Sequence, residues 1–322
     1  MRRARRVNRW GWSALALMLV GGAIGAGLSN TARDYLRLLT GFNVYTPEAQ
    51  AAETAPSRQV PVMDGTLFKE KPPLAREGFP PIKIIYESEL WSPGADTQQL
   101  PTPFRLKTVV GRWKREPMLV IDDMEDWPFF DSDQRLDRAN LDKYLQLIAQ
   151  AKAAAPGAKI GFYGTPPLSD YWRAIDNNPR QRRVDWQRDN DAIQALADAQ
   201  DVLYPSLYTF YADQQGWVAY AQAQVAEARR MAKGKPVFVF LWPQYHNSNK
   251  LLGCQFVGAA YWRLQLETAR QLADGVIVWG GWDVCSKPGG QQSWDSKAEW
   301  WAITRTFLPS GAAASPQSRP SP

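Results

Sequence analysis

The residues best equipped for chemistry sit in one short stretch, Met118 to Trp127, which reads MLVIDDMEDW. Four apolar residues, Met118 to Ile121, are followed at once by Asp122, Asp123, Glu125 and Asp126. An apolar run this short reads as a strand buried on both faces, with carboxylates crowded at its C-terminal end. Asp123 and Glu125 are two residues apart, so on extended chain they point to the same side, roughly 6.5 Å apart along the backbone. Two carboxylates at that spacing repel when both ionise. One pKa should rise, and the raised group can hold a proton near neutral pH. A proton held there is what a general acid for glycosidic bond cleavage needs. By the same alternation Asp122 and Asp126 face away from the pair and would support it through hydrogen bonds. Two other descriptions fit the stretch: a solvated acidic loop, or a hard-cation site drawn from Asp122, Asp123, Glu125, Asp126 and Asp131.

The rest of the composition narrows the chemistry. A single histidine, His246, and two cysteines, Cys254 and Cys285, leave too few soft ligands for a zinc site built from several of them. There is no Gly-x-Ser-x-Gly nucleophile elbow and no Gly-rich phosphate loop ending in Gly-Lys-Ser/Thr. No cofactor is called for. The net charge of +6 is mostly local, because five arginines fall within the first nine residues. No basic face therefore argues for nucleic acid. Tryptophan is over-represented at 15 residues, which tilts towards carbohydrate, since indole faces stack on the apolar faces of sugar rings as readily as they fill cores.

Strands alternating with helices must position these groups. Strands are expected at Ile82–Tyr86, Met118–Asp122, Lys159–Tyr163, Val202–Tyr208, Pro236–Leu241 and Gly275–Trp279. Helices are expected at about 140–154, 186–199, 217–232, 256–272 and 296–307. Such repeats imply an α/β fold with parallel pairing and right-handed crossovers. The strand ends read YESE, DDMED, YGTPP, YTFY, WPQYH and WGGWD, aromatic or acidic in every instance. A barrel builds one site from many such loops, whereas a doubly wound sheet concentrates its site at one switch point. A TIM-like (β/α) barrel is the better fit, with one or two strands not visible in the pattern.

Four motifs, in order and each at an expected strand end, resemble the hyaluronidase family of glycoside hydrolases. They are Asp123-Met124-Glu125-Asp126-Trp127, Gly161-Phe162-Tyr163-Gly164, Tyr204-Pro205-Ser206-Leu207-Tyr208 with a following helix containing Val225-Ala226-Glu227-Ala228, and the stretch Gly275 to Trp282. The likeness covers roughly 82–301. It implies a distorted barrel of about seven strands and retaining, substrate-assisted hydrolysis, in which the substrate's 2-acetamido oxygen attacks the anomeric carbon. Such enzymes are exceptions to the two-carboxylate scheme. Carried over by motif, Glu125 would be general acid and then base. Asp123 would orient the acetamido group, Tyr163 and Tyr208 would hydrogen-bond it, and Trp279 would wall its methyl, with Trp282 behind. Tyr86, Trp127, Tyr245 and Trp282 are the further candidates for substrate binding. His246 is expected at the surface rather than in catalysis. The family's strand runs Ile-Asp-x-Glu, and here an extra Asp122 intervenes; the family's cysteine framework is absent. Cys254 and Cys285 both follow strands whose ends should be neighbours, so an exported protein could bridge them.

The ends of the chain suggest export. Basic MRRARRVNR precedes an uncharged run from Ser13 to Leu28, which fits a signal anchor or a cleaved signal peptide over 1–30. A tether is expected over 31–78, including a short helix at 32–39, then the hyaluronidase-like barrel over 79–308 and a disordered tail over 309–322. This organisation suggests a periplasmic domain held at a bacterial inner membrane, or a secreted one. The partner would be a polysaccharide with N-acetylated amino sugars, whether cleaved or, in a non-catalytic alternative, only bound beside polysaccharide secretion and assembly machinery.

Overall fold

The computed structural model describes residues 59–176, 182–285 and 290–309. The expected signal segment, the helix at 32–39 and all but the first residue of the expected tail lie outside the described residues. Among the described residues no helix is long and apolar enough to cross a membrane.

Seven parallel segments close into a barrel. Strands β1 (Val62–Thr66), β2 (Lys83–Ile85), β3 (Met118–Ile121), β4 (Lys159–Phe162), β5 (Phe238–Leu241) and β6 (Gly275–Gly280) supply six of them. β2 pairs with β3 and β3 with β4, while β5 pairs with β6 and β6 with β1, all in parallel register. The seventh segment, 202–208, joins the two halves through single bridges, Tyr163 to Tyr204 on one side and Leu203 to Val237 and Ser206 to Phe240 on the other. It does not form a regular strand. Pro205 has no N–H to give to a ladder, so pairing there is broken into isolated contacts. The ring closes between β1 and β2, where Asp64 bridges Pro81 and the Ile82 N–H donates to the Asp64 carbonyl at 3.1 Å.

β1 lies inside the stretch expected as a tether over 31–78, and that expectation is corrected: the barrel begins some twenty residues before 79. Pro61, Asp64 and Gly65 interrupt the apolar run and hide the strand. Asp64 is nevertheless 6% exposed. Its carboxylate tolerates burial because Lys71 Nζ pairs with Oδ2 at 2.7 Å and the Thr66 hydroxyl donates to Oδ1 at 2.7 Å.

Side-chain alternation sorts the strand residues into two cores. Ile82, Ile84, Val120, Val202, Tyr204, Phe238, Phe240 and Ile277 form one cluster inside the barrel. Ile85, Leu119, Ile121, Ile160, Phe162, Val239 and Val276 belong to the larger cluster beneath the helices. Gly161 is required by this packing. A Cβ there would run into the Val202 carbonyl and stand 3.1 Å from Tyr204 Cδ2.

The helices that flank the site are α1 (Glu87–Leu90), α2 (Pro103–Gly111), α3 (Arg138–Ala154) and α4 (Tyr171–Ile175). The single helix expected at 186–199 is two, α5 (Arg183–Ala192) and α6 (Gln194–Ala199), broken at Ile193. Then follow α7 (Gln214–Ala232), α8 (Ala259–Leu272) and α9 (Glu299–Arg305), with a small antiparallel pair, β7 (Trp282–Asp283) and β8 (Gly290–Gln291), after β6. α3 and α7 start at Asp137 and Asp213, whose carboxylates accept from the Asn140 and Gly216 N–H groups.

Candidate active site

Following each strand's inward alternation to its C-terminal end places Tyr86, Asp122, Tyr163, Tyr208, Trp242 and Trp279 at the C-terminal mouth, above the inner core. The five aromatics interlock there. Trp279 Nε1 donates to Tyr86 Oη at 3.1 Å, and Tyr208 stacks on Trp279 with centroids 5.8 Å apart. Tyr208 also lies 5.7 Å from Tyr163 and 5.4 Å from Trp242. Tyr163 Oη donates to Ser206 Oγ at 3.1 Å. Burial raises the pKa of Tyr86, Tyr163 and Tyr208, so all three stay protonated and act as hydrogen-bond donors at ordinary pH.

Above this floor lies a cleft of about 350 Å³, lined by Asp123, Glu125, Tyr163, Ser206, Tyr208 and His246 among others. The loop carrying the acids is pinned. The Met124 N–H donates to Tyr144 Oη at 3.1 Å, Trp127 Nε1 donates to the Thr97 carbonyl at 2.7 Å, and the Thr97 hydroxyl donates to Asp126. Met124 is thereby buried at the base of the cleft, between Asp123 and Glu125, which line it as well.

The carboxyl groups divide differently from the sequence expectation. Asp122 is not turned away from the mouth. Val120 points into the barrel, so Asp122 does too, where its charge is felt by Tyr86, Tyr163 and Tyr208. Loss of solvation, then the charge of Asp123 and of Glu87, pushes its pKa up to about 8. Asp123, within hydrogen-bonding reach of Asp122, is pushed up to about 6 by burial, with its own backbone N–H pulling the other way. The raised acid expected from the Asp123/Glu125 pair is thus Asp123, joined by Asp122. Glu125 stands exposed at the rim of the cleft. Glu87 on α1 is a third carboxyl near the pair. Burial, then Asp126, Glu125 and Asp123, raises its pKa, and its Oε1 is buried without a hydrogen-bond partner. Among the described residues no group of three or more His, Cys, Asp or Glu is arranged to hold a metal ion.

Asp123, Glu125, Tyr163 and Tyr208 therefore meet in one cleft, and Trp279 and Tyr86 abut it through Tyr208. Trp127 also borders the cleft, but it is 1% exposed and covered by edge contacts with Trp91 and Tyr144, so it anchors the loop rather than offering a sugar-binding face. The other candidates are not part of the cleft lining. Tyr245 packs against Tyr261 at 6.4 Å, away from the cleft lining. Trp282 lies in β7, paired with Gln291. His246, expected at the surface, lines the cleft with its ring 4.8 Å from Phe210, and burial lowers its pKa, leaving it neutral. Cys254 and Cys285 are joined, Cα–Cα 6.3 Å, tying the loop after β5 to the segment after β6. Gln244 and Trp242 extend this tie to the mouth: Gln244 Nε2 donates to the Cys254 carbonyl and Trp242 Nε1 donates to Gln244 Oε1 at 3.0 Å.

No family model matches the chain. Hyaluronidase of Apis mellifera is 30% identical over 176 residues, which is 48% of this chain and 43% of that protein. The match therefore spans less than half of that relative. The crystal structure of bee venom hyaluronidase superposes with a TM-score of 0.52 at 19% identity, covering 69% of this chain and 91% of that one. The chain is hyaluronidase-like. The bee enzyme in complex with a hyaluronic acid tetramer gives a TM-score of 0.51 at 18% identity, over 69% and 90% of the two chains. At that identity the shared property is the barrel, and a hyaluronidase-like barrel accounts for the seven-segment ring and for a site at the C-terminal ends of its strands.

Proposed function

We propose that the protein is a glycoside hydrolase: a retaining endo-glycosidase that cleaves a polysaccharide containing N-acetylated hexosamines with the help of the substrate's own acetamido group. The observation that carries this reading is the meeting of Asp123 and Glu125 in one open cleft directly above Tyr163 and Tyr208. In this mechanism Glu125, at the accessible rim, protonates the leaving glycosidic oxygen. The acetamido oxygen attacks the anomeric carbon as that bond breaks, and the positive charge grows on the acetamido nitrogen. Asp123 accepts the N–H and balances that charge. Tyr163 and Tyr208 hydrogen-bond the acetamido group, and Trp279, with Tyr86 on its Nε1, walls the methyl. Glu125 then takes a proton from the water that opens the cyclic intermediate, which restores the original anomeric configuration. Asp122, holding its proton at neutral pH, donates to Asp123 and fixes its orientation. The bee enzyme's hyaluronic acid complex supports a polymer rather than a small sugar as ligand.

The Cys254–Cys285 disulfide supports an exported location. We place the barrel outside the cytoplasm, held by the basic, apolar N-terminal segment or released from it, and beside polysaccharide secretion machinery when anchored.

The test is release of new reducing ends from a panel of N-acetylhexosamine polymers. Wild type should cleave at least one, and Glu125→Gln should lose about 10²–10⁴-fold in rate while still binding it. Full activity in Glu125→Gln, or no cleavage of any member by wild type, would sink the proposal.

A further inference from the structure

Beside the cleft the protein presents two large aromatic rings to solvent. Trp172, on α4, keeps 38% of its surface exposed, and Tyr211 keeps 37%. The two are locked together: Trp172 Nε1 donates to Tyr211 Oη at 3.1 Å, with centroids 5.1 Å apart and planes inclined at 49°. Buried Tyr171 holds both from beneath, 5.1 Å from Trp172 and 4.9 Å from Tyr211. The polar tips are thus engaged with each other, while more than a third of each residue's surface stays open to water. Single exposed apolar residues are ordinary, but a pre-organised pair of rings is an arrangement that a ligand can use at little ordering cost.

The platform is continuous with the cleft. Ser169, three residues before Trp172, and Phe210, next to Tyr211, both line the cleft. Tyr171 touches Phe210 with centroids 6.4 Å apart, and Phe210 lies 4.8 Å from His246, also in the cleft wall. An unbroken aromatic path therefore runs from the cleft wall to Trp172.

We propose that Trp172 and Tyr211 form a distal subsite that stacks one sugar ring of the polysaccharide chain whose scissile bond lies at Asp123 and Glu125. This rests on the glycosidase reading and extends it. The occupant follows from the chemistry of the platform. A pyranose ring offers an apolar C–H face to an indole, with hydroxyls at its rim, and Tyr211 Oη, which accepts from Trp172, still has its own proton to donate to one of them. A chain lying in the cleft meets this platform without leaving the surface. Endo-cleavage of long chains then depends on it, and cleavage of short ones does not.

The experiment compares wild type, Trp172→Ala and Trp172→Phe on a long N-acetylhexosamine polymer and on its di- and trisaccharides. Steady-state rates are measured, and binding is measured by calorimetry in a Glu125→Gln background. Trp172→Ala should raise KM for the polymer about tenfold, the effect of losing one stacked ring, with kcat unchanged and short oligosaccharides unaffected. Trp172→Phe should recover most of the polymer affinity. An unchanged KM for the polymer, or an equal loss at every chain length, would overturn the subsite while cleavage by wild type keeps the glycosidase reading. Absence of both cleavage and binding by wild type would overturn the glycosidase reading and the subsite with it.

Discussion

Asp122 and Asp123 are neighbouring carboxyls at the barrel mouth, where burial and the charge of Asp123 keep Asp122 protonated up to about pH 8. Alternation counted between Asp123 and Glu125 puts Asp122 on the opposite side. Counted from Val120, which fills the barrel, it puts Asp122 over the mouth. The strand ends at Ile121, and the turn that follows brings Asp123 into the cleft by a route that a period of two does not describe. Tyr163, Tyr208 and Trp279 were legible because they follow the last inward strand positions by two. His246 was not, since its place depends on the packing of Phe210 and Tyr208. The two acids make a pH prediction. On the proposed mechanism Asp123 must be ionised to balance the developing charge, so activity should rise with pH through about 6. Asp122 should lose its proton near pH 8, setting a second negative charge beside Asp123, so activity should fall above that. Asp122→Asn should keep the acidic limb and alter the alkaline one, which still reports the proton that the general acid must carry. The stability consequence has a definite sign. A carboxyl whose folded pKa is raised binds more protons folded than unfolded, so its contribution declines as pH rises from about 4 to about 8. Asp122→Asn should therefore be more stable than wild type by about 1–3 kcal/mol at pH 8, with the gain shrinking towards pH 5, as measured by urea denaturation at each pH.

At the scale of elements, β2 to β6 were all legible as strands, with β3, β5 and β6 marked by unbroken apolar runs. β1 was not, because a strand carrying Asp64 and Gly65 looks like linker until Lys71 is seen to pair with the acid. The segment 202–208 read as a strand from its apolar alternation, and the structure keeps the alternation while Pro205 breaks the ladder. Its place in the ring depends on Gly161. Gly161→Ala should push Tyr204 or the Val202 carbonyl out of register and cost about 1–3 kcal/mol, visible as a lower denaturant midpoint with an unchanged slope. Activity per folded molecule should fall as well, since Tyr163 sits two residues on and bonds Ser206 across the same junction.

For the whole molecule, closure is the property the sequence concealed. Without β1 the ring opens between β6 and β2, leaving two strand edges and the inner core uncovered. A chain beginning at Phe79, the boundary that the sequence suggests, should aggregate or fail to melt cooperatively. One beginning at Gln59 should be monodisperse and unfold in one transition, as judged by gel filtration and circular dichroism. Function belongs to this scale too, because the cleft draws the acids from the loop after β3, Tyr163 from β4's end and Tyr208 from the irregular segment, backed by Trp279 of β6 and Tyr86 at β2's end. The most direct test of the account is proton NMR of the first reducing sugars released from a cleaved N-acetylhexosamine polymer, recorded before mutarotation. The account predicts that the new anomeric centre has the configuration of the bond that was cut. Inversion would contradict it, since a single displacement by water leaves the acetamido group no part in the reaction.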